Sequence, residues 1–170
     1  MIQPTSLISR LESIDQQIYR PNGLVLSKLK IHAESGDYGA CSFALNTCVI
    51  EHRVAKITPT KVGQFVTLWK RDDRGNTTPL EASDLIHFVC ITTISNTQIG
   101  QFFFPISVLI DRGIIRNAKT PGKRGFRVYP RWDTPTSKQA KETQRWQDDF
   151  FLDYTSPAAD FRQKLHALSH

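Results

Sequence analysis

The stretch RVAKITPTKVGQFVTLWKR, residues 53–71, decides the fold that we predict for this chain. Its apolar residues predict one strand that ends at Ile57 and a second strand over residues 65–69. Pro59 lacks an N–H group, so it fits the turn between the strands better than the interior of either strand. Positive charges punctuate the stretch without any carboxylate between them: Arg53, Lys56, Lys61, Lys70 and Arg71. Strands that carry so many uncompensated cations predict an anionic partner.

The composition indicates one globular domain with an excess of positive charge. A chain of 170 residues can bury about 70% of the surface of its unfolded form, so its core needs no metal or disulfide. The 22 Lys and Arg residues exceed the 16 Asp and Glu residues and give a net charge of +6. This excess favours nucleic acid, a phosphate-bearing small molecule or an acidic protein face as the partner. The other interpretation is that the charge serves solubility alone.

Cysteine usage and hydropathy predict a cytoplasmic protein. The three cysteines, Cys41, Cys48 and Cys90, lie in apolar segments typical of strands, and we expect them to be reduced core residues. No basic segment followed by an apolar one is present at the N-terminus, so no secretory signal is predicted. The longest strongly apolar stretch, at about residues 85–94, is too short to span a bilayer, and no membrane partner is expected.

Apolar periodicity predicts helices near both ends of the chain and strands between them. Leucine and isoleucine recur three and four residues apart after a cap at Thr5 or Ser6, which predicts a first helix that ends at residues 20–23. Residues 24–31 fit a strand or a helix, and residues 155–170 fit a further helix or a frayed end. The remaining segments are predicted as strands at residues 38–45, 48–57, 64–70, 85–91, 98–104 and 126–129, and as helices at residues 106–111 and 137–152. This order predicts an α+β fold with a central mixed, mostly antiparallel sheet flanked by helices.

Three long segments carry a resemblance to a known family. They are the opening stretch, GKRGFRVYPRWD at residues 122–133 and KQAKETQRWQ at residues 138–147. Together they resemble the MepB-like family, which implies one MepB-like domain over residues 1–170 with its core at about residues 38–152. The resemblance implies a small bacterial cytoplasmic protein with a restriction-endonuclease-like α/β fold. Because the family's activity is not established, the resemblance implies DNA binding but no reaction.

The nuclease chemistry of that fold can be tested against the residues. Such nucleases place an acidic residue on one strand and an acid-x-Lys motif on the next, so that carboxylates hold Mg²⁺ and the lysine assists the attacking water. No Asp or Glu in this chain is followed two residues later by Lys. The nearest match, Glu51-His52-Arg53, has arginine instead, which stays protonated. Weak candidate metal ligands are Glu34, Glu51 and Asp84, and the alternative is that each is solvated or ion-paired. We therefore predict no metal, no cofactor and no catalytic residue.

An anion-binding face is predicted from the cationic residues. If the two strands of the opening stretch pair antiparallel, their cations converge, and the glycine-rich loop after residue 117 adds backbone N–H groups that can contact phosphate. Trp132 can stack on a base. The predicted binding residues are Arg53, Lys56, Lys61, Gln64, Lys70, Lys123, Arg124, Arg127 and Trp132. The alternative is a set of scattered, solvated cations in which Arg53 and Lys56 pair with Glu51 or Asp84.

These observations predict a protein that binds nucleic acid, with DNA as the first candidate. They predict that it does so on a degenerate nuclease-like scaffold, without catalysis. Two alternatives stay open: a metal-dependent nuclease with relocated carboxylates, and a binder of a small anionic ligand or an acidic protein partner. A closed pocket around Arg53, Lys56 and Gln64 would favour the small ligand, and an open basic groove would favour nucleic acid.

Overall fold

The structure is a computed structural model that describes residues 4–33 and 38–168. In the described part the strands are β1 (Leu26–Ile31), β2 (Cys41–Leu45), β3 (Cys48–Val54), β4 (Lys56–Ile57), β5 (Gln64–Thr67), β6 (Trp69–Arg71), β7 (Thr77–Pro79), β8 (Phe88–Ser95), β9 (Gln98–Pro105), β10 (Gly125–Val128) and β11 (Phe151–Asp153). The α-helices are α1 (Pro4–Ile14), α2 (Ile106–Asp111), α3 (Lys138–Asp148) and α4 (Phe161–Ala167). A π-helical turn (Asp15–Tyr19) and a 3-10 turn (Arg20–Asn22) extend α1. No helix in these ranges is long and apolar enough to cross a membrane.

The centre of the fold is a mixed sheet with the strand order β1-β2-β3-β8-β9-β11. Neighbouring strands pair antiparallel except β3 and β8, which run parallel. The predicted α+β fold with a mixed, mostly antiparallel central sheet is therefore confirmed. A smaller antiparallel sheet, β10-β5-β4, and the strand pair β6-β7 lie outside the central sheet.

Two tight hairpins supply most of the central sheet. Asn46 turns β2 into β3 with φ of 53°, and Asn96 turns β8 into β9 with φ of 45°. Asparagine tolerates this left-handed conformation better than most residues, and two-residue hairpin turns demand it. The Asn46 side chain also accepts a hydrogen bond of 2.9 Å from the Val25 N–H group, which ties the turn to the chain before β1. The undecided segment before this hairpin is thus a strand, β1, at the edge of the sheet.

The N-terminal helix packs its predicted apolar stripe on one side of the sheet. Leu7, Leu11 and Ile14 are buried, and the helical turns end at Gly23, whose φ of 79° suits glycine. Because α1 begins at Pro4, neither Thr5 nor Ser6 precedes it, so the predicted cap was wrong.

The second strand of the opening stretch divides into two. Residues 64–67 form β5 and residues 69–71 form β6, and these strands belong to different sheets. At the break, the Leu68 N–H group donates a hydrogen bond of 2.9 Å to the Arg124 carbonyl. The single strand predicted at residues 64–70 was therefore wrong. Apolar pattern alone predicts extended backbone, and it does not show where the strand changes partners.

The ends of the C-terminal elements also differ from the prediction. Ser137 caps α3 by accepting a hydrogen bond of 3.1 Å from the Ala140 N–H group. The helix ends at Asp148 instead of running to residue 152, and the following residues form β11 beside β9. Phe151 packs against Phe102 with ring centroids 4.5 Å apart. Long-range burial of this kind overrides local helix preference.

A chain of hydrogen bonds crosses the centre of the sheet. The Tyr19 and Tyr154 hydroxyls donate to Gln101 Oε1, and Gln101 Nε2 donates to Thr92 Oγ1 at 2.8 Å. Thr92 Oγ1 lies 2.7 Å from His52 Nε2, and His52 Nδ1 lies 3.0 Å from the Gly39 carbonyl. Since a carbonyl can only accept, Nδ1 carries the proton and Nε2 accepts from threonine. Complete burial lowers the pKa of His52 to about 4, so the imidazole is neutral at pH 7.

Candidate functional site

The small sheet and α3 enclose the larger of two candidate sites, a cleft of about 650 Å³ that we call the basic cleft. Its walls are β10, the loop at residues 60–62 and one face of α3 along its whole length. β5 holds β10 in place, because the two strands pair antiparallel with Arg127 opposite Phe65. Gly63 permits the loop to approach β10, since a Cβ atom there would lie 2.7 Å from the Tyr129 ring. The cleft is therefore a product of the small sheet and α3 together.

Four cations line the basic cleft, and no Asp or Glu is found among its described lining residues. These cations are Lys61, Arg112, Lys123 and Arg127. None of them forms an ion pair with a carboxylate within residues 4–33 and 38–168. Arg127 Nη1 donates only a long hydrogen bond of 3.3 Å to the Val62 carbonyl. Four positive charges in one concavity whose lining holds no carboxylate favour a positive potential, although Glu142 and Asp149 line an adjoining cavity of about 460 Å³ that shares Arg112 and Trp146.

Arg112 is held over an aromatic ring at the edge of the cleft. Its guanidinium carbon lies 4.6 Å from the centroid of the Trp146 ring. Trp146 is anchored in turn against Phe104, with ring centroids 5.6 Å apart. Arg112 was not among the residues predicted from the sequence; it follows α2 and lies 11 residues before Lys123. Nothing in the local sequence marks it, because its contact with Trp146 of α3 brings it to the cleft.

The smaller site, of about 250 Å³, is called the charged pocket. It is lined by charged groups of both signs and by three larger apolar side chains: His32, Glu51, Arg53, Lys70, Asp84, Trp69, Leu80 and Ile86. Arg53 is only 2% exposed, and its Nη1 atom donates to Glu51 Oε1 at 2.6 Å and to the His52 carbonyl at 2.8 Å. Arg53 Nη2 donates to the Trp69 carbonyl at 3.1 Å. The protein itself therefore engages both terminal nitrogens of Arg53, whereas Nε is buried without a hydrogen-bond partner among the described residues.

Glu51 is held as an anion in this pocket. Burial raises the pKa of the Glu51 carboxyl, but His32, whose Nε2 lies 2.8 Å away, and Arg53 together lower it below its usual value. The same arrangement places the Glu51 carboxylate and the Arg53 guanidinium two residues apart on β3, so their opposite charges neutralise each other. The sequence left Glu51 and Asp84 as possible partners of Arg53, and the structure pairs Arg53 with Glu51.

Asp84 forms an ion pair with Lys70 in the same pocket. Lys70 Nζ lies 2.7 Å from Asp84 Oδ1 and 3.6 Å from Glu81 Oε2, while Asp84 Oδ2 accepts from the Glu81 N–H group at 2.8 Å. Partial burial lowers the pKa of Lys70, and the two carboxylates outweigh it and raise the pKa above its usual value. Among the described residues no group of three or more His, Cys, Asp and Glu side chains could hold a metal ion. Glu34, the third weak candidate, lies outside the described residues.

The remaining predicted residues lie apart from the basic cleft. Lys56 places its ammonium 4.3 Å from the centroid of the Tyr38 ring, and Arg124 Nη2 donates to the Thr77 carbonyl at 3.1 Å. Gln64 is buried, with Nε2 donating to the Ile94 carbonyl at 3.3 Å. Trp132 packs edge-on against Phe151 at 5.5 Å between ring centroids. The nine predicted residues therefore do not share one cavity: the basic cleft includes Lys61, Lys123 and Arg127, and the charged pocket includes Arg53 and Lys70.

Comparison with known proteins agrees with the resemblance noted from the sequence. The crystal structure of MepB is similar to this chain, with a TM-score of 0.77 and 31% sequence identity over 88% of this chain and 97% of that one. No curated protein matches the sequence. The MepB-like family matches residues 32–153, which include β2 to β11, α2, α3 and both candidate sites. The chain belongs to the MepB-like family.

Proposed function

We propose that this protein binds nucleic acid, with DNA as the first candidate, through the basic cleft. The observation that carries the proposal is the set of four cations, Lys61, Arg112, Lys123 and Arg127, that share one concavity without a carboxylate. Cations of a folded protein that lack internal partners are available to phosphate, and phosphate contacts supply most of the affinity in non-specific nucleic-acid binding. We place this activity in the cytoplasm and on a restriction-endonuclease-like scaffold, as the sequence analysis expects.

The proposal treats the charged pocket as structural and assigns no catalysis to it. Arg53 stands where nucleases of the expected fold have lysine, and its guanidinium is buried and bonded to Glu51. Lys70 is bonded to Asp84 in the same way. A metal ion would have to compete with each of these cations for its carboxylate, so the pocket is poorly suited to Mg²⁺.

Binding is tested by mobility shift and by its dependence on salt. Four phosphate contacts predict that log K falls against log salt with a slope of about −3 to −4. The double variant Lys61→Ala/Lys123→Ala is expected to reduce the slope by about half, because it removes two of the four charges. The matched control is Lys30→Ala/Arg162→Ala, which removes two exposed charges from β1 and α4. A protein that shifts neither single- nor double-stranded DNA nor RNA at low salt would rule the proposal out.

A metal-dependent nuclease is the second candidate, and one observation favours it. Glu51 and Asp84, from different elements, line the same 250 Å³ pocket as Lys70, so two carboxylates and a lysine do share a site. Incubation of plasmid and oligonucleotides with Mg²⁺ or Mn²⁺ tests it. Cleavage that is lost in both Glu51→Gln and Asp84→Asn would establish this candidate, and intact substrate in both metals would dismiss it.

A further inference from the structure

We propose that the basic cleft accommodates an unpaired nucleotide with its phosphate, so that the protein prefers single-stranded nucleic acid to duplex. This inference rests on the proposed function and adds the form of the nucleic acid. Three features carry it: the size of the cleft, the stacked guanidinium of Arg112 and the placement of the other three cations.

The size of the cleft is that of a small-ligand site, and a nucleotide unit is a ligand of this class. Its volume of about 650 Å³ lies within the range of about 300–1,000 Å³ that is typical of sites enclosing a small ligand. A duplex presents its phosphates on a convex surface and keeps its bases stacked inside, so it could contact the rim of such a cleft and could not fill it. An unpaired nucleotide can turn its base inward while its phosphate stays among the cations.

Arg112 offers a flat surface for the base. Its guanidinium carbon lies 4.6 Å from the centroid of the Trp146 ring, and that ring is packed against Phe104, so the guanidinium is held in place at the edge of the cleft. Arg112 is exposed and has no carboxylate partner among the described residues. Unpaired bases stack on aromatic rings and on guanidinium planes, and this stacking depends little on the identity of the base. The arrangement therefore favours an unpaired base without sequence preference.

The other cations are placed for the phosphate. Lys61 and Lys123 are exposed, and Arg127 has only one long hydrogen bond within the part of the chain that the structure describes, so each retains donors for phosphate oxygens. The charged pocket differs in each respect, because it is smaller, carries both signs of charge and has its arginine almost fully buried. The basic cleft is consequently the better site for an anionic nucleotide unit.

The test compares one oligonucleotide of about 15 nucleotides as a single strand and as a blunt duplex, by fluorescence anisotropy with the full chain. The single strand is expected to bind about tenfold more tightly than the duplex. Arg112→Ala is expected to weaken single-strand binding about fivefold through lost stacking. Lys61→Ala/Lys123→Ala is expected to weaken it about tenfold through lost phosphate contacts.

The control is Lys30→Ala/Arg162→Ala, which changes the same net charge outside the cleft and is expected to change affinity by less than about twofold. Each variant is checked for an unchanged thermal midpoint, so that a lost fold is not mistaken for a lost contact. Equal or tighter binding of duplex, or single-strand affinity that Arg112→Ala leaves unchanged, would overturn this inference while the proposed function survives. Affinity that is unchanged in both cleft variants would overturn the proposed function as well, because it would place binding outside the basic cleft. Absence of binding to any nucleic acid would instead overturn the proposed function and this inference with it.

Discussion

The guanidinium of Arg53 and the carboxylate of Glu51 meet at 2.6 Å within strand β3, although only one residue separates them in sequence. Alternate residues of a strand point to the same face, so the strand itself positions the pair. His32 contacts the same carboxylate oxygen at 2.8 Å. The two residues that come nearest to an acid-x-Lys motif in this sequence therefore neutralise each other.

The buried pair makes Arg53 important for stability. Arg53→Ala leaves the Glu51 carboxylate with only His32 as its partner, and we expect a loss of about 3 kcal/mol in the free energy of unfolding. Urea denaturation measures it. Arg71→Ala is the matched control, because Arg71 is an exposed arginine whose guanidinium lies 5.3 Å from the Trp69 ring centroid, and its loss should cost less than about 1 kcal/mol. Equal costs for the two variants would contradict the role assigned to the buried pair.

Acid should destabilise the protein in the pH range where His52 titrates in the unfolded chain. The pKa of His52 is about 4 in the fold, against about 6.5 when unfolded. Between these values the unfolded chain binds a proton that the folded protein excludes, so stability falls as the pH is lowered from 6.5 toward 4. The expected loss is about 3 kcal/mol. Glu51, whose pKa is lowered by folding, adds a further loss as it becomes protonated at lower pH.

Urea denaturation at pH 7.5, 6.0 and 5.0 measures this effect. His52→Gln serves as the control, since a glutamine cannot titrate and its stability should change less over the same range. A wild-type protein with constant stability from pH 7.5 to 5.0 would show that His52 is not held neutral in the fold. The comparison uses the slope of the free energy of unfolding against pH, which should be steeper in the wild type than in His52→Gln. The control therefore remains informative even if His52→Gln is less stable than the wild type at every pH.

Much of the central sheet could be predicted from sequence because its signals are local. Hairpin turns at Asn46 and Asn96, an apolar stripe in α1 and the proline before α2 each act within a few residues. By contrast, β11 contains only three residues, and its strand conformation depends on pairing with β9, about fifty residues earlier. No local pattern separates such a segment from the end of a preceding helix.

The candidate sites were predicted only in part, because the sequence shows which residues are charged but not which of them come together in the fold. Charge along the chain identified Lys61, Lys123 and Arg127, which do line one cleft. It grouped Arg53 with them, although Arg53 and Glu51 lie on the central sheet and close a pocket of their own. Arg112 was missed altogether, because its position depends on the contact with Trp146. The sequence gives the number and the positions of the charged residues along the chain. Which of them share a cavity depends on how the helices and strands pack.

The cysteines should be unreactive in the folded protein. Cys41, Cys48 and Cys90 are buried, and burial raises the pKa of the Cys41 thiol to about 12. Because the thiolate is the reactive form, native protein should react with Ellman's reagent many times more slowly than protein unfolded in urea, where all three thiols should titrate. Rapid release of even one equivalent of thionitrobenzoate from native protein would contradict the described burial. The reagent consumed in urea is the internal control for the number of thiols.

The pairing of β9 with β11 can be tested at Gly100, which faces Asp153 across the two strands. A Cβ atom at this position would lie 2.5 Å from Phe151 Cζ and 2.7 Å from the Leu152 carbonyl oxygen. The aromatic ring is packed and the carbonyl is backbone, so neither can move freely. We expect Gly100→Ala to lower the free energy of unfolding by about 2–3 kcal/mol, as measured in urea.

The control is Thr97→Ala, at an exposed position in the β8–β9 turn, which should change the free energy of unfolding by less than about 0.5 kcal/mol. If Gly100→Ala were as mild as this control, residues 151–153 could not pack against β9 as described.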